Sequence, residues 1–303
     1  MRKENPVNGV RWIHVSKPTE EDVNFIRSVF PFDPFVTESI VAPTLHPLID
    51  DFENHLFLIL HFPIIYRGWQ SNEIAEVDFL ITKDVLVTVT YTEFDNIEEI
   101  FSAFQAEKIQ KRGIGQQTGF ILHYVIDNLF NKLISHLDFM EQEITSIEDR
   151  MFAKRDSRMV EEISHARRDI LDFLRPLRPQ ATVLETFAEK AEKFYGKTIA
   201  PYITDILVTE ERIRSIIENQ KEIINDLHQT NESLVSSNIS SIIRILTIFS
   251  AVIMPLNLIA SLWGMNHKQM PFRDGPWDFW IIVGFMIVVA ILLLVIFRKS
   301  KWL

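Results

Sequence analysis

The chain has 303 residues, with 41 acidic and 31 basic side chains, a net charge of -10 and no cysteine. The acidic surplus excludes the basic face that nucleic-acid phosphates require and suits cations instead. Without cysteine there are no disulfides, thiolate metal sites or cysteine nucleophiles.

Met1 to Gly9 is polar with no apolar run, so no signal peptide is expected. Residues 10–110 alternate short β-type runs (VRWIHV, HLFLILHFPII, EVDFLIT, VLVTVTY) with helical stretches. An α/β domain over residues 1–115 is therefore predicted. Within it, Pro18 beside Thr19, Glu20 and Glu21 marks a helix start with proline in its first turn. Arg67 to Asn72 suits a hairpin turn, and Gly113-Ile114-Gly115 a helix-breaking loop rather than a nucleotide motif. His46 and His55 flank Asp50 and Asp51, a set that could bind metal, but Pro47 and the acidic turn favour a solvated loop.

A helical arm is expected over residues 116–196. Phe120, Ile121, Val125, Leu129, Leu133, Leu137, Met140, Ile144 and Ile147 recur at three- and four-residue steps, the mark of a long amphipathic helix. After a polar break at Lys154-Arg155-Asp156-Ser157, Ile163, Ile170, Leu171, Leu174 and Leu177 define a second helix. Pro176 and Pro179 should kink or end it. His123 and His136 read as surface or interface residues. The histidines are scattered and no His-x-x-x-His pair occurs, so no enzyme is expected.

A third helical pattern starts near Pro201 and meets no Gly or Pro before Pro255, joining a stalk (197–239) to a first membrane span (240–262). Helical from Pro201 to Leu262, it would be roughly 90 Å long at 1.5 Å per residue. So long a helix needs partners along its length, and self-association around an axis supplies them. A loop (263–276), a second span (277–297) and a basic tail (298–303) follow. Each span approaches the roughly 20 apolar residues that cross a bilayer. Arg244, Arg298, Lys299 and Lys301 place both ends of this hairpin in the cytoplasm and the loop outside, by the positive-inside rule. The expected fold is thus an α+β membrane protein: an N-terminal α/β cytoplasmic domain, and a long helical stalk continuing into two transmembrane helices.

Alternating steps of three and four from Ser233 give Ser236, Ser240, Ile243, Thr247, Ser250, Met254, Asn257 and Ser261, a narrow face of mostly small or hydroxylated residues. Two readings stand: tight packing between membrane helices, or the wall of a wet lumen. Asn257 and Asn266 favour the lumen, because amide carbonyls can accept from the waters of a hydrated cation. Met254 and Ile243 would then form apolar constrictions, and lumen water could satisfy the carbonyl freed by Pro255.

The runs Met254-Pro255-Leu256-Asn257, Trp263-Gly264-Met265-Asn266, Met270-Pro271 and the ending Lys301-Trp302-Leu303, set around two spans, resemble the CorA family of divalent-cation transporters. The resemblance extends over the whole architecture. It implies a homopentameric magnesium channel of the plasma (inner) membrane, multi-pass, with cobalt and nickel as related cargo, Mg2+ as both transported and regulatory ion, and no organic cofactor. It places Asn266 in an outer ring that captures the hydrated ion, with Gly264 and Met265 in the same motif. Asn257, Met254, Leu246, Ile243 and Ser240 fall on pore-ring positions, Leu246 standing in place of its neighbour Thr247. The resemblance also implies sensing of cytoplasmic Mg2+ through carboxylates at the protomer interface, where Asp205 matches the stalk member. The partner position falls on Ser39, with Glu38 beside it. From the residues alone, both acids read equally as solvated.

Two departures from the family pattern stand out: Asn257 where threonine is common, and Lys268 and Phe272 where the outer loop is commonly acidic. The alternatives are a proton-coupled zinc, nickel or cobalt transporter of the same superfamily, whose motif tends to lack the methionine, and a membrane-anchored coiled-coil scaffold without transport.

Overall fold

The structure, a computed structural model, describes residues 2–7, 9–64, 73–92, 94–105, 117–153, 158–265, 277–300 and 302. It divides into two compact units, Met1–His228 and Gln229–Leu303.

The first unit is built on a six-stranded sheet. Its strands are β1 (Arg2–Val7), β2 (Val10–Ser16), β3 (Leu48–Asp51), β4 (Leu56–Pro63), β5 (Ile74–Ile81) and β6 (Val85–Thr90). The spatial order is β1-β2-β6-β5-β4-β3, with β2 and β6 parallel and every other pair antiparallel. Helices cover both faces, so β4 and β6 are buried along their whole length and read as continuous apolar runs. On one face Trp12, Leu58, Leu60, Phe62 and Phe79 pack under α3 (Asp95–Gln105), α4 (Thr118–Ala153) and α5 (Met159–Tyr195). On the other, Ile13, Val15, Phe57, Ile59 and Val87 meet α1 (Glu20–Val29) and α2 (Pro34–Ser39).

Two strands were hidden in the sequence. The polar segment after Met1 forms β1, which pairs from Arg2↔Val15 to Val7↔Val10; at a sheet edge only one side needs a partner, and polar side chains are tolerated. The stretch expected as a solvated loop around Asp50 and Asp51 is β3. His55 is buried, with its ring stacked on Phe52 at 4.4 Å, and Asp51 is paired with Lys190 at 2.5 Å. The helix at Thr19 begins as expected, but Pro18 lies outside its first turn. Thr19 is the N-cap and forms a capping box with Asp22.

Pro176 and Pro179 do not end α5, which continues through both to Tyr195. Phe173, Leu174, Leu177 and Leu184 are buried in the core on either side of them, and that burial outweighs two lost helix hydrogen bonds. This stretch of α5 also completes the sheet. β3 covers only Leu56–Ile59 of β4, and farther along the His61 N–H donates to Gln180 Oε1 at 3.1 Å. Pro63, which has no N–H to satisfy, follows at the same edge.

At the other end of α4 and α5, Thr118 Oγ1 lies 2.7 Å from the Tyr195 hydroxyl and also donates to the Thr82 carbonyl. A Cβ on Gly119 would stand 2.8 Å from Ile199 Cδ1, so this residue must be small for the chain to approach. α6 (Ala200–Gly264) then runs as one helix of 65 residues, including Pro255. Its residues to His228 belong to the first unit and the rest to the second, which α7 (Asp278–Lys299) completes. The hairpin turn at 67–72, the Gly113–Gly115 loop and the Lys154–Ser157 break lie outside the described residues.

Candidate ion pathway and cation-sensing residues

Both helices of the second unit are long and apolar enough to cross a membrane. Within the apolar part of α6, from Ile248 to Trp263, the residues of lower exposure make one broad face: Ile248 is buried, while Ala251, Val252, Ile253, Pro255, Leu256, Ile259 and Trp263 are half-buried. α7 carries a matching half-buried stripe through Ile282, Met286, Ala290, Leu293 and Phe297. The candidate pore residues fall on the opposite, exposed face. Ser240, Ile243, Leu246, Thr247, Ser250, Met254, Asn257, Ser261, Gly264 and Met265 are all exposed within one chain, Met254 to 76%. The Thr247 hydroxyl donates to the Ile243 carbonyl at 2.8 Å, so its proton is committed to the helix while its oxygen can still accept. Asn266 and the outer loop with Lys268 and Phe272 lie outside the described residues.

Asp205 projects from α6 in the first unit. Its Oδ2 accepts from His123 Nε2 on α4 at 2.9 Å. The Asp205 side chain is 57% exposed and that of His123 only 18%, with the Tyr202 ring edge-on to the imidazole at 5.2 Å. One turn along α4, burial raises the Asp127 carboxyl above its ordinary range; His123 opposes the rise and Asp205 adds to it. His123 is therefore a partner of the candidate sensing acid, not a bare surface residue. A histidine four residues before Asp127 on one helix was the available signal, but nothing local showed that α6 would bring Asp205 to it. Glu38 is exposed at the end of α2, and the Ser39 hydroxyl donates to the Phe35 carbonyl at 2.9 Å. Among the described residues no three His, Asp or Glu side chains gather to hold a metal, so one chain does not join Glu38 and Asp205 into such a set.

A second polar cluster escaped the sequence reading. A cavity of about 610 Å³ is lined by Thr44, His46, His61, Glu76, Tyr91 and Arg175, among others. At its floor, buried Glu76 accepts from the Thr44 backbone N–H at 2.7 and 2.9 Å and lies 3.1 Å from His61 Nε2. Behind it, Asp78 is fully buried and accepts from the Tyr91 hydroxyl at 2.6 Å. Burial, and next the neighbouring Glu76, push the Asp78 carboxyl far above its ordinary range. The trace in the sequence was two acids two residues apart in an otherwise apolar strand, placed on one face by the period of two. The cluster pins the segment around Thr44 to the sheet.

The sequence model of the family described as CorA-like Mg2+ transporter protein matches residues 7–299. This chain belongs to the CorA family. It is 24% identical over 295 residues to the cobalt/magnesium transport protein CorA of Thermotoga maritima, covering 96% of this chain and 83% of that one. The magnesium transport protein CorA of Campylobacter jejuni is 24% identical over 322 residues, covering 99% and 93%. The solved CorA magnesium transporter of Methanocaldococcus jannaschii superposes with a TM-score of 0.82 at 19% identity, over 97% of this chain and 92% of that one. The CorA fold is thus present over essentially the whole chain, with an α/β domain, long helices and two apolar C-terminal helices.

Proposed function

We propose that this CorA-family chain assembles as a homopentamer into a gated channel that carries Mg2+, with Co2+ and Ni2+ as related cargo, across the plasma (inner) membrane. Both termini are cytoplasmic. The observation that carries the reading is the exposed α6 face from Ser240 to Ser261, set away from the half-buried stripe at Ile248, Val252 and Ile259. Hydroxyls, an amide and a thioether on that face meet the needs of a hydrated divalent ion, while a purely lipid-facing surface would favour none of the polar ones. The names of the similar proteins, cobalt/magnesium and magnesium transport, support the same cargo.

Asn266 captures the hydrated ion, Asn257 passes it on, and Met254, Leu246 and Ile243 form the narrow apolar rings. Entry is driven by the membrane potential, worth about 2.3 kcal/mol per charge per 100 mV, so a divalent ion needs no nucleotide. Regulatory Mg2+ is held between protomers by Asp205 of one and the acidic end of α2, at Glu38, of the next. Mg2+ prefers oxygen ligands and keeps several waters, so few carboxylates are enough. When cytoplasmic Mg2+ falls, the uncompensated acids repel and the stalks separate.

Because the chain has no cysteine, single cysteines report accessibility directly. Membrane-embedded Ser250→Cys, Asn257→Cys and Ser261→Cys should react with a charged thiol reagent, while Ile248→Cys, Val252→Cys and Ile259→Cys should not. The opposite pattern would remove the pore assignment, and a native mass other than five chains would remove the pentamer.

A further inference from the structure

Consecutive membrane crossings run in opposite directions, so the Gly264 end of α6 and the Asp278 end of α7 lie at one membrane face. Arg244 precedes Gly264 by 20 residues and Arg298 follows Asp278 by 20 residues. At 1.5 Å per residue both side chains therefore reach the same level, about 30 Å away, at the opposite edge of the hydrocarbon. Lys299 is adjacent. All three are exposed, and none of their side chains has a hydrogen-bond or ion-pair partner among the described residues.

The sequence supplies no acid to balance them. Ser233 to Gly264 and Phe279 to Leu303 contain no Asp or Glu, although the chain as a whole carries a net charge of -10. Trp302 marks the same level as interfacial. It folds back so that its backbone N–H donates to the Phe297 carbonyl at 3.0 Å, and its ring sits 6.1 Å from that of Phe297. Tryptophan at one end of a span, with Trp277 and Trp280 exposed at the other, is the pattern of residues held at headgroup depth.

We infer that Arg244, Arg298 and Lys299 form a binding site for the headgroup phosphate of an anionic phospholipid in the leaflet at this end of the spans. A guanidinium offers a planar pair of N–H donors to phosphate oxygens, and the long side chains keep their stems in hydrocarbon while the charges reach the headgroup layer. Arg244 is the discriminating member. Arg298 and Lys299 lie in the last turn of α7, where the helix dipole already favours cations, whereas Arg244 lies within a helix and has no such compensation. The site rests only on both helices crossing the membrane, not on the pore or its regulation.

The test uses full-length protein, stripped of lipid in detergent, with its thermal midpoint followed on adding phosphatidylglycerol, phosphatidylcholine or inorganic phosphate. Phosphatidylglycerol should raise the midpoint by several degrees and the other two should not. In Arg244→Gln/Arg298→Gln the phosphatidylglycerol-specific rise should vanish, while Arg244→Lys, which keeps the charge, should retain part of it. Equal shifts with the two lipids, a phosphate effect matching that of phosphatidylglycerol, or a full rise in the double variant would each overturn the site. Native mass spectrometry of the double variant, reporting folded oligomer with retained lipid, separates lost binding from lost folding.

Discussion

His123 on α4 and Asp205 on α6 are joined by a 2.9 Å contact that occupies one oxygen of the candidate sensing acid. A contact with a partner this exposed is worth on the order of 1 kcal/mol or less. It can orient Asp205 without holding it against a divalent cation, and under the proposed sensing role it would be surrendered or rearranged as a cation took that oxygen.

His123→Ala is therefore expected to lower the Mg2+ concentration that protects the stalk from limited proteolysis, by up to about fivefold, the equivalent of about 1 kcal/mol. Asp205→Asn should raise that concentration or abolish protection. Unchanged titration curves in both variants would remove Asp205 from cation sensing.

His14 gives the first unit an acid limit. It is buried against Thr88, with its Nδ1 3.0 Å from the hydroxyl, and burial lowers its pKa from 6.5 to about 4. The unfolded chain thus binds the extra proton first. Stability is fully present above pH 6.5 and falls as the pH drops toward 4, by on the order of 3 kcal/mol. His14→Gln should flatten that limb in a series of unfolding midpoints followed through the buried Trp12.

Asp78 acts with the opposite sign. Its raised pKa means the folded state keeps a proton that the unfolded state releases above pH 3.8, so its contribution to stability declines as pH rises from there. Asp78→Asn preserves an acceptor for Tyr91 and should match or exceed the wild-type midpoint at pH 8. Asp78→Ala leaves that hydroxyl without an acceptor and should cost about 1–3 kcal/mol.

Gln180→Ala is expected to cost a similar ~1–3 kcal/mol by orphaning the His61 N–H. Hydrogen exchange should show faster exchange confined to the β4 edge near His61. Global loss without local deprotection would mean that Gln180 acts mainly through packing.

The sequence was most legible where a pattern is long. The helical patterns of α4 and α6, the apolar runs of β4, β5 and β6, and the two apolar C-terminal helices stand as read from Leu129, Phe57 or Leu293 and their neighbours. Its silence is equally physical. β1 is polar because an edge strand buries one side only, and β3 is too short for a period to show. α5 survives Pro176 and Pro179 through tertiary burial that no local rule contains. At the candidate sites, the α6 face was legible as a run of small and polar residues. The His123–Asp205 contact was not, because 82 residues separate its members, and the Glu76–Asp78 floor needed the sheet register to place His61 and Thr44 beside it.

The most direct test of the channel is divalent uptake into proteoliposomes loaded with a magnesium-sensitive dye, with the membrane potential and pH gradient imposed separately, comparing wild type with Asn266→Ala. The account predicts Mg2+ entry that follows the potential, ignores the pH gradient and disappears in the variant although the oligomer remains intact. Entry of zinc or nickel that tracks protons, uptake retained by Asn266→Ala, or no flux of any ion would contradict it.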